Sequence, residues 1–225
     1  MAPRFALYYA PEISDPLHQA ASSWLGRDAD SNAPCTQPSL PDITGITGDA
    51  GNYGFHATLK PPMRLRDGVT WHDLLAETIA LAATIPAFDL PHLAVADLHG
   101  FLALRETEPS TNLQALADAC VAGVDHLRQP PEGEEIAKRR KSQLSPVMDA
   151  NLIRWGYPYV FATWYFHMTL TRRLNDAERT MWMPAAEAHF AASLAMPRRV
   201  AVISIFSQAK PGTAFVVAAR VKLAE

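Results

Sequence analysis

The chain has 225 residues, 20 Lys and Arg against 23 Asp and Glu, and a formal net charge of −3. Hydrophobic residues make up 48% and charged residues 19%, which excludes a disordered chain and allows a buried core. No run of 18 apolar residues is present, the start Met1-Ala2-Pro3-Arg4-Phe5 lacks a secretory-signal pattern, and two cysteines are too few for a disulfide framework, so a cytoplasmic protein with no membrane span is expected.

Arg4 to Tyr9 is short, aromatic and β-prone. Asp15-Pro16 reads as an N-cap followed by proline at the first helical position. Leu17, Ala20, Ala21, Trp24 and Leu25 then recur at helical spacing up to Gly26. Residues 27–52 are rich in Pro, Gly, Ser, Asp and Thr and are expected to form a long loop, of the kind that serves as a lid or rim. Tyr53 to Lys60 reads as a strand closed by Pro61-Pro62. Trp71, Leu74, Leu75, Thr78, Ile79 and Ala82 line one face of a helix. Phe88 to Leu98 and Phe101 to Arg105 read as strands joined at His99-Gly100. Leu113, Leu116, Ala117, Cys120, Val121, Val124 and Leu127 give the clearest amphipathic helix, with Cys120 as a buried thiol.

A connector follows, with an acidic patch at Glu132, Glu134 and Glu135 and a basic run at Lys138, Arg139, Arg140 and Lys141. The basic run reads first as a solvated face and second as a contact for a charged substrate. Ser145-Pro146 opens a short helix ending near Gly156. Thr163 to Thr171 reads as a strand, Asn175 with Glu178 as a capping box, and residues 199–207 and 214–222 as closing strands.

One string occurs twice, 111 residues apart: Phe55-His56-Ala57-Thr58-Leu59 and Phe166-His167-Met168-Thr169-Leu170. Each copy is followed by a helix and then two strands, which divides the chain into an N-terminal lobe (1–130), a connector (131–160) and a C-terminal lobe (161–225) of one structural unit. Strand alternation puts Phe55, Ala57 and Leu59 on one face and His56, Thr58 and Lys60 on the other. In the second copy Phe166, Met168 and Leu170 oppose Tyr165, His167 and Thr169. Each strand thus buries one face and offers His and Thr on the other.

Two imidazoles across a cleft can act as base and acid in one turnover, and a hydroxyl beside each can hold an anionic oxygen. Phosphate suits such a set, because it accepts several hydrogen bonds between an in-line acid and base. A single His on a strand is more often a satisfied surface residue; the duplication separates this pair from that reading. His72, His92, His99, His126 and His189 show no metal-ligand spacing, and neither a Gly-rich phosphate loop nor a Gly-x-Ser-x-Gly elbow is present. No metal and no cofactor are expected.

The paired His-x-Thr-Leu strings resemble the two-histidine phosphoesterase superfamily, which includes bacterial RNA 2′-5′ ligase-like proteins and cyclic phosphodiesterases of plants and yeast. The likeness is closer to a branch associated with phosphonate-utilisation operons. It rests on Arg4-Phe5-Ala6-Leu7-Tyr8-Tyr9-Ala10-Pro11, Trp155-Gly156-Tyr157-Pro158-Tyr159-Val160 and Phe166 to Thr171. The resemblance implies an α+β, bilobal, duplicated fold with two antiparallel sheets facing a central cleft and helices outside. It implies metal-independent chemistry at cyclic phosphates on ribose-like diols, with His56 and His167 as acid and base and Thr58 and Thr169 on the phosphate oxygens.

Four further residues are candidates for the substrate. Lys60 shares the face of His56, against a reading as a solvated strand-end lysine. Arg172 matches a position often basic in the ligase-like relatives, and reaches the cleft only if its strand ends first. Tyr8 and Tyr165 can stack on a base or bond a phosphate, against a reading as packing. The expected partner is a small phosphorylated substrate. An RNA end is the second reading, disfavoured by the negative net charge. A non-catalytic phosphate- or nucleotide-binding module is the third. The oligomeric state is left open.

Overall fold

The structure is a computed structural model and describes residues 2–225. It is α+β, with antiparallel sheets and helices packed against them, as expected. Strand β1 (Arg4–Tyr9) is followed by helix α1 (Pro16–Leu25). Asp15 caps α1 through a bond from the Leu17 N–H, Pro16 opens it, and Gly26 ends it in the left-handed region.

The expected loop over 27–52 is corrected. It contains helix α2 (Ile43–Tyr53), whose Ile43, Ile46, Thr47 and Ala50 are buried at helical spacing. Glycines 45, 48 and 51 lower its local propensity, and tertiary packing overrides them. At Gly51 a side chain would come within 3.0 Å of the Leu25 carbonyl oxygen, so the close approach of α2 to α1 requires glycine there.

Strand β2 (Ala57–Met63) runs through Pro61-Pro62 instead of stopping before them. Helix α3 (Trp71–Ala82) carries a full capping box between Thr70 and Asp73. Strands β3 (Phe88–Leu90), β4 (Leu93–Leu98) and β5 (Phe101–Glu106) follow, β4 and β5 being joined through His99 and Gly100, both at positive φ. Helix α4 (Thr111–Gly123) buries Cys120. The connector folds into α5 (Gly133–Arg140) and α6 (Pro146–Trp155).

The strand expected over 163–171 shrinks to β6 (Met168–Thr169). Thr163 instead closes a 3-10 turn, its hydroxyl bonded to the carbonyls of Pro158 and Val160. Helix α7 (Asp176–Leu194) and strands β7 (Arg198–Val200), β8 (Val202–Gln208) and β9 (Val216–Lys222) complete the chain.

Seven strands form one sheet in the order β4-β5-β6-β2-β1-β8-β9, and β3 pairs with β7 in a second. The two halves of the sequence exchange strands. β6, from the C-terminal half, lies between β5 and β2, and β1 pairs with β8. One face of the large sheet carries the main core, where Leu7, Ala57, Leu59, Leu104, Phe166, Met168 and Leu170 meet α1, α3, α4 and α7. A smaller apolar cluster of Ala6, Tyr8, Ala10, Ala29, Phe206 and Phe215 lies on the other face of β1 and β8.

Candidate active site

The four motif residues are brought together by the register of one antiparallel strand pair. β2 and β6 are antiparallel with Ala57 opposite Met168, both fully buried in the main core. Carried one residue each way, that register sets His56 opposite Thr169 and Thr58 opposite His167. All four lie on the face away from the core, and each histidine stands beside the threonine of the other copy. Cross-strand neighbours of this kind lie about 4.5–5.5 Å apart. The Trp164 indole, just upstream of the second motif, donates to the Thr58 carbonyl at 2.8 Å and ties the two copies together. The Trp24 indole of α1 donates to the Leu170 carbonyl of the second copy at 3.1 Å.

The histidines are oriented alike. His56 Nδ1 lies 2.9 Å from the Gly54 carbonyl, and His167 Nδ1 lies 3.1 Å from the Tyr165 carbonyl. A carbonyl only accepts, so each Nδ1 carries its proton and each Nε2 keeps its lone pair for chemistry. Gly54 has φ 78°, and a side chain there would strike the Ala29 Cβ at 2.6 Å. Only glycine therefore turns its carbonyl toward His56 at this place.

Burial holds His56 down to about 4; the nearby His167 pushes the same way, against the Gly54 bond. His167 is also lowered, by burial first and then by Arg105, against the Tyr165 bond. Both imidazoles are neutral at pH 7 in the unliganded site. An anion between them would favour protonation of one.

Tyr8 joins the site. It faces Thr58 across β1–β2, and its ring stacks on His56 with centroids 3.7 Å apart. Tyr165 joins it too, its ring 4.8 Å from the His167 ring. Tyr53, Tyr157 and Tyr159 stand nearby. Burial pushes the Tyr8 phenol well up, and Tyr53 and Tyr157 add to the push. Tyr157 is likewise raised by burial, within electrostatic reach of Tyr159, Tyr165 and Tyr53. Tyr8, Tyr53 and Tyr165 thus stand beside the two histidine rings.

Lys60 and Arg172 do not join it. A β-bulge shifts the β1–β2 register between Tyr8–Thr58 and Leu7–Lys60. The extra residue, Leu59, takes up the alternation, and Lys60 turns to the core side. Its ammonium donates to Asp125 at 2.7 Å and to the Val121 carbonyl at 3.0 Å, in full burial. β6 does end before Arg172, but the guanidinium is held by Glu178 at 2.8 Å and by the Gly45 carbonyl.

Arg105 is the site residue that strand reading alone missed. Ala103 faces Thr169 and Leu104 faces Met168, so Arg105 falls opposite His167 on the motif face. Its Nε is buried with no hydrogen-bond partner among the described residues. Its guanidinium stands 5.6 Å from the Tyr165 ring centre. Alternation along β5 contained this signal, but only the register with β6 gives it meaning.

One group could offer metal ligands: His18, Asp28 and Asp30 bring ligand atoms within 4.8 Å of one another. Arg220 already pairs both oxygens of Asp30, at 2.8 and 3.0 Å, and supplies the positive charge there. Among the described residues no helix is long and apolar enough to cross a membrane.

These features define an α+β protein with a duplicated His–Thr pair on one sheet face. The chain belongs to the family described as "Protein of unknown function (DUF1045)", which matches residues 58–216. Two curated relatives carry the name "Ribose 1,5-bisphosphate phosphokinase PhnN". The one from Janthinobacterium sp. (strain Marseille) is 41% identical over 222 residues, 95% of this chain and 49% of that protein. The one from Laribacter hongkongensis (strain HLHK9) is 35% identical over 215 residues, 94% of this chain and 50% of that protein. The chain thus spans about half the length of the curated relatives it matches. Among solved structures, E. coli LigT in apo form aligns over 100% of both chains with TM-score 0.47 and 14% identity. LigT complexed with 3′-AMP aligns over 100% of both with TM-score 0.46 and 14% identity. A structure titled "Crystal structure of phosphoesterase" aligns over 99% of both with TM-score 0.45 and 13% identity.

Proposed function

We propose that this chain is a two-histidine phosphoesterase that opens a cyclic phosphate on a small ribose-type substrate. The observation that carries the reading is the paired register, which sets two Nδ1-anchored histidines and two threonine hydroxyls on one face. His56, the more firmly neutral imidazole, takes a proton from water through Nε2 as the water oxygen attacks phosphorus. The bond from phosphorus to one ring oxygen breaks, and His167 gives that oxygen the proton on its Nε2. The product is a phosphate monoester, and the two histidines have exchanged protonation states. Thr58, Thr169 and Arg105 donate to the non-bridging oxygens, where negative charge builds. Tyr8 and Tyr165 hold the two imidazoles and wall the ribose. No metal takes part in this route.

The relatives' name describes action on a ribose bisphosphate by proteins about twice as long, which supports a ribose phosphate as substrate class. The phosphoryl transfer in that name is not assigned to this chain. The test is a screen of 2′,3′-cyclic nucleotides, cyclic sugar phosphates and RNA with cyclic ends, with the double variant His56→Ala, His167→Ala as control. Small cyclic phosphates are opened by the wild type, with or without chelator, and not by the double variant. Turnover of RNA ends alone would replace the substrate class. Equal turnover by the double variant would overturn the mechanism.

A further inference from the structure

Beside the histidines lies a cavity of about 470 Å³ whose lining includes Arg4, Arg64, Arg128, Lys138 and Arg139, with Glu135 as its one acidic lining residue. A local excess of cations is notable in a chain of net charge −3. Two of the five are already paired with carboxylates. Arg128 is paired with Asp125 at 2.9 Å, and Arg64 with Glu132 and Glu135 at 3.2 and 3.0 Å. The other three have no carboxylate partner among the described residues. Arg4 donates to the neutral Gln208 amide oxygen, at 2.6 and 2.8 Å, and stands over the Phe215 ring at 5.5 Å. Arg139 stands over the Tyr157 ring at 4.8 Å, and Lys138 forms no ion pair.

The cavity adjoins the motif face at Tyr53. Tyr53 lines it, and the Tyr53 ring lies 6.3 Å from the His56 ring. Arg4 and Tyr8 share one face of β1, about 13 Å apart at strand rise, with Arg4 lining the cavity and Tyr8 stacked on His56. Tyr157 carries Arg139 on its ring and stands within electrostatic reach of Tyr8.

We propose that Arg4, Lys138 and Arg139 form a second anion subsite, so that the substrate carries a further phosphoryl group on the same ribose scaffold as the reacting one. Three unpaired cations fit a phosphate monoester, which carries nearly two negative charges, better than a single carboxylate. The inference rests on the histidine face being the reacting site. It gives the basic run of α5 a role, with Arg140 excluded because it pairs with Asp149 at 2.7 Å.

The test compares matched pairs of compounds. Turnover is measured with adenosine 2′,3′-cyclic phosphate with and without a 5′-phosphate. Equilibrium binding is measured by calorimetry with adenosine 3′,5′-bisphosphate and 3′-AMP, which needs no turnover. The wild type is expected to prefer the compound with the extra phosphate at least tenfold in both assays. Lys138→Ala with Arg139→Ala is expected to bring the preference to within twofold. Arg199→Ala with Lys222→Ala, an equal loss of charge elsewhere, is expected to keep it. No preference in wild-type binding, or an equal drop in both double variants, would overturn the subsite. A binding preference without turnover of either cyclic compound would keep the subsite and overturn the proposed reaction instead.

Discussion

His56 and His167 make the same bond to the same kind of partner, the carbonyl two residues upstream. What packs around them differs. His56 is sandwiched into an aromatic cluster, stacked on the buried Tyr8 and near Phe206. His167 lies between Tyr165 and Phe101, with the half-exposed guanidinium of Arg105 beside it. One histidine is kept neutral mainly by being dry, the other by burial and by a cation. A duplicated motif has thus kept its internal hydrogen bond while its surroundings diverged. In the proposed reaction that divergence separates the base, His56, from the acid, His167.

Substituting either histidine should have the largest effect. His56→Ala and His167→Ala are each expected to lower kcat on a cyclic nucleotide by about 10²- to 10⁴-fold. Stopped assays on both purified variants check this, and a loss confined to one copy would break the symmetry of the site. Lys60 comes next, because it shares the first motif's strand without sharing its face. Lys60→Met leaves the mostly buried Asp125 with Arg128 and Arg154 only, and an unfolding loss of about 3 kcal/mol is expected. Urea denaturation measures that loss, and turnover within twofold of the wild type would separate this residue from the chemistry. Gly54→Ala should cost about 1–3 kcal/mol through its positive φ. The second motif has no glycine at the matching place, so thermal unfolding of this variant reports on the first copy alone.

The smallest effects are in pH dependence. Both histidines are depressed in the free protein, so kcat/KM should peak below pH 6.5 and fall above it, as the acid loses its proton. Arg105→Gln removes a cation that lowers His167, so the alkaline limb should move up while the His56 limb stays. A limb that moves down would put Arg105 elsewhere. The same depression sets the sign for stability. The unfolded chain takes up the His56 proton near pH 6.5 and the folded one only near 4, so stability is full above 6.5 and falls as pH drops toward 4.

Much of this was legible from local chemistry. Asp15-Pro16, the Asn175–Glu178 capping box and the apolar stripe around Cys120 are short-range signals, and each formed its element. Strand alternation also placed Phe166, Met168 and Leu170 in the core with His167 and Thr169 opposite. Three things were not legible. Helix α2 is glycine-rich and depends on its fit against Leu25. The bulge at Leu59 follows from pairing with β1, and no residue of β2 announces it. Arg105 has meaning only through the β5–β6 register. In each case the missing information is a partner far away in sequence.

The ladder that joins the motifs has a bearing on how the molecule comes to be active. Ala57 and Met168 are distant along the chain, and β6 contributes only two residues to their pairing. So short a strand cannot nucleate on its own, and closing so long a loop is slow until its neighbours hold it. The hairpin of β4 and β5, with its turn at His99-Gly100, is local and can form early. β6 then completes the sheet between β5 and β2, where the Trp164 indole bonds the Thr58 carbonyl. During refolding, most backbone structure should return before the two histidines meet, so that the candidate site is the last part of the molecule to form.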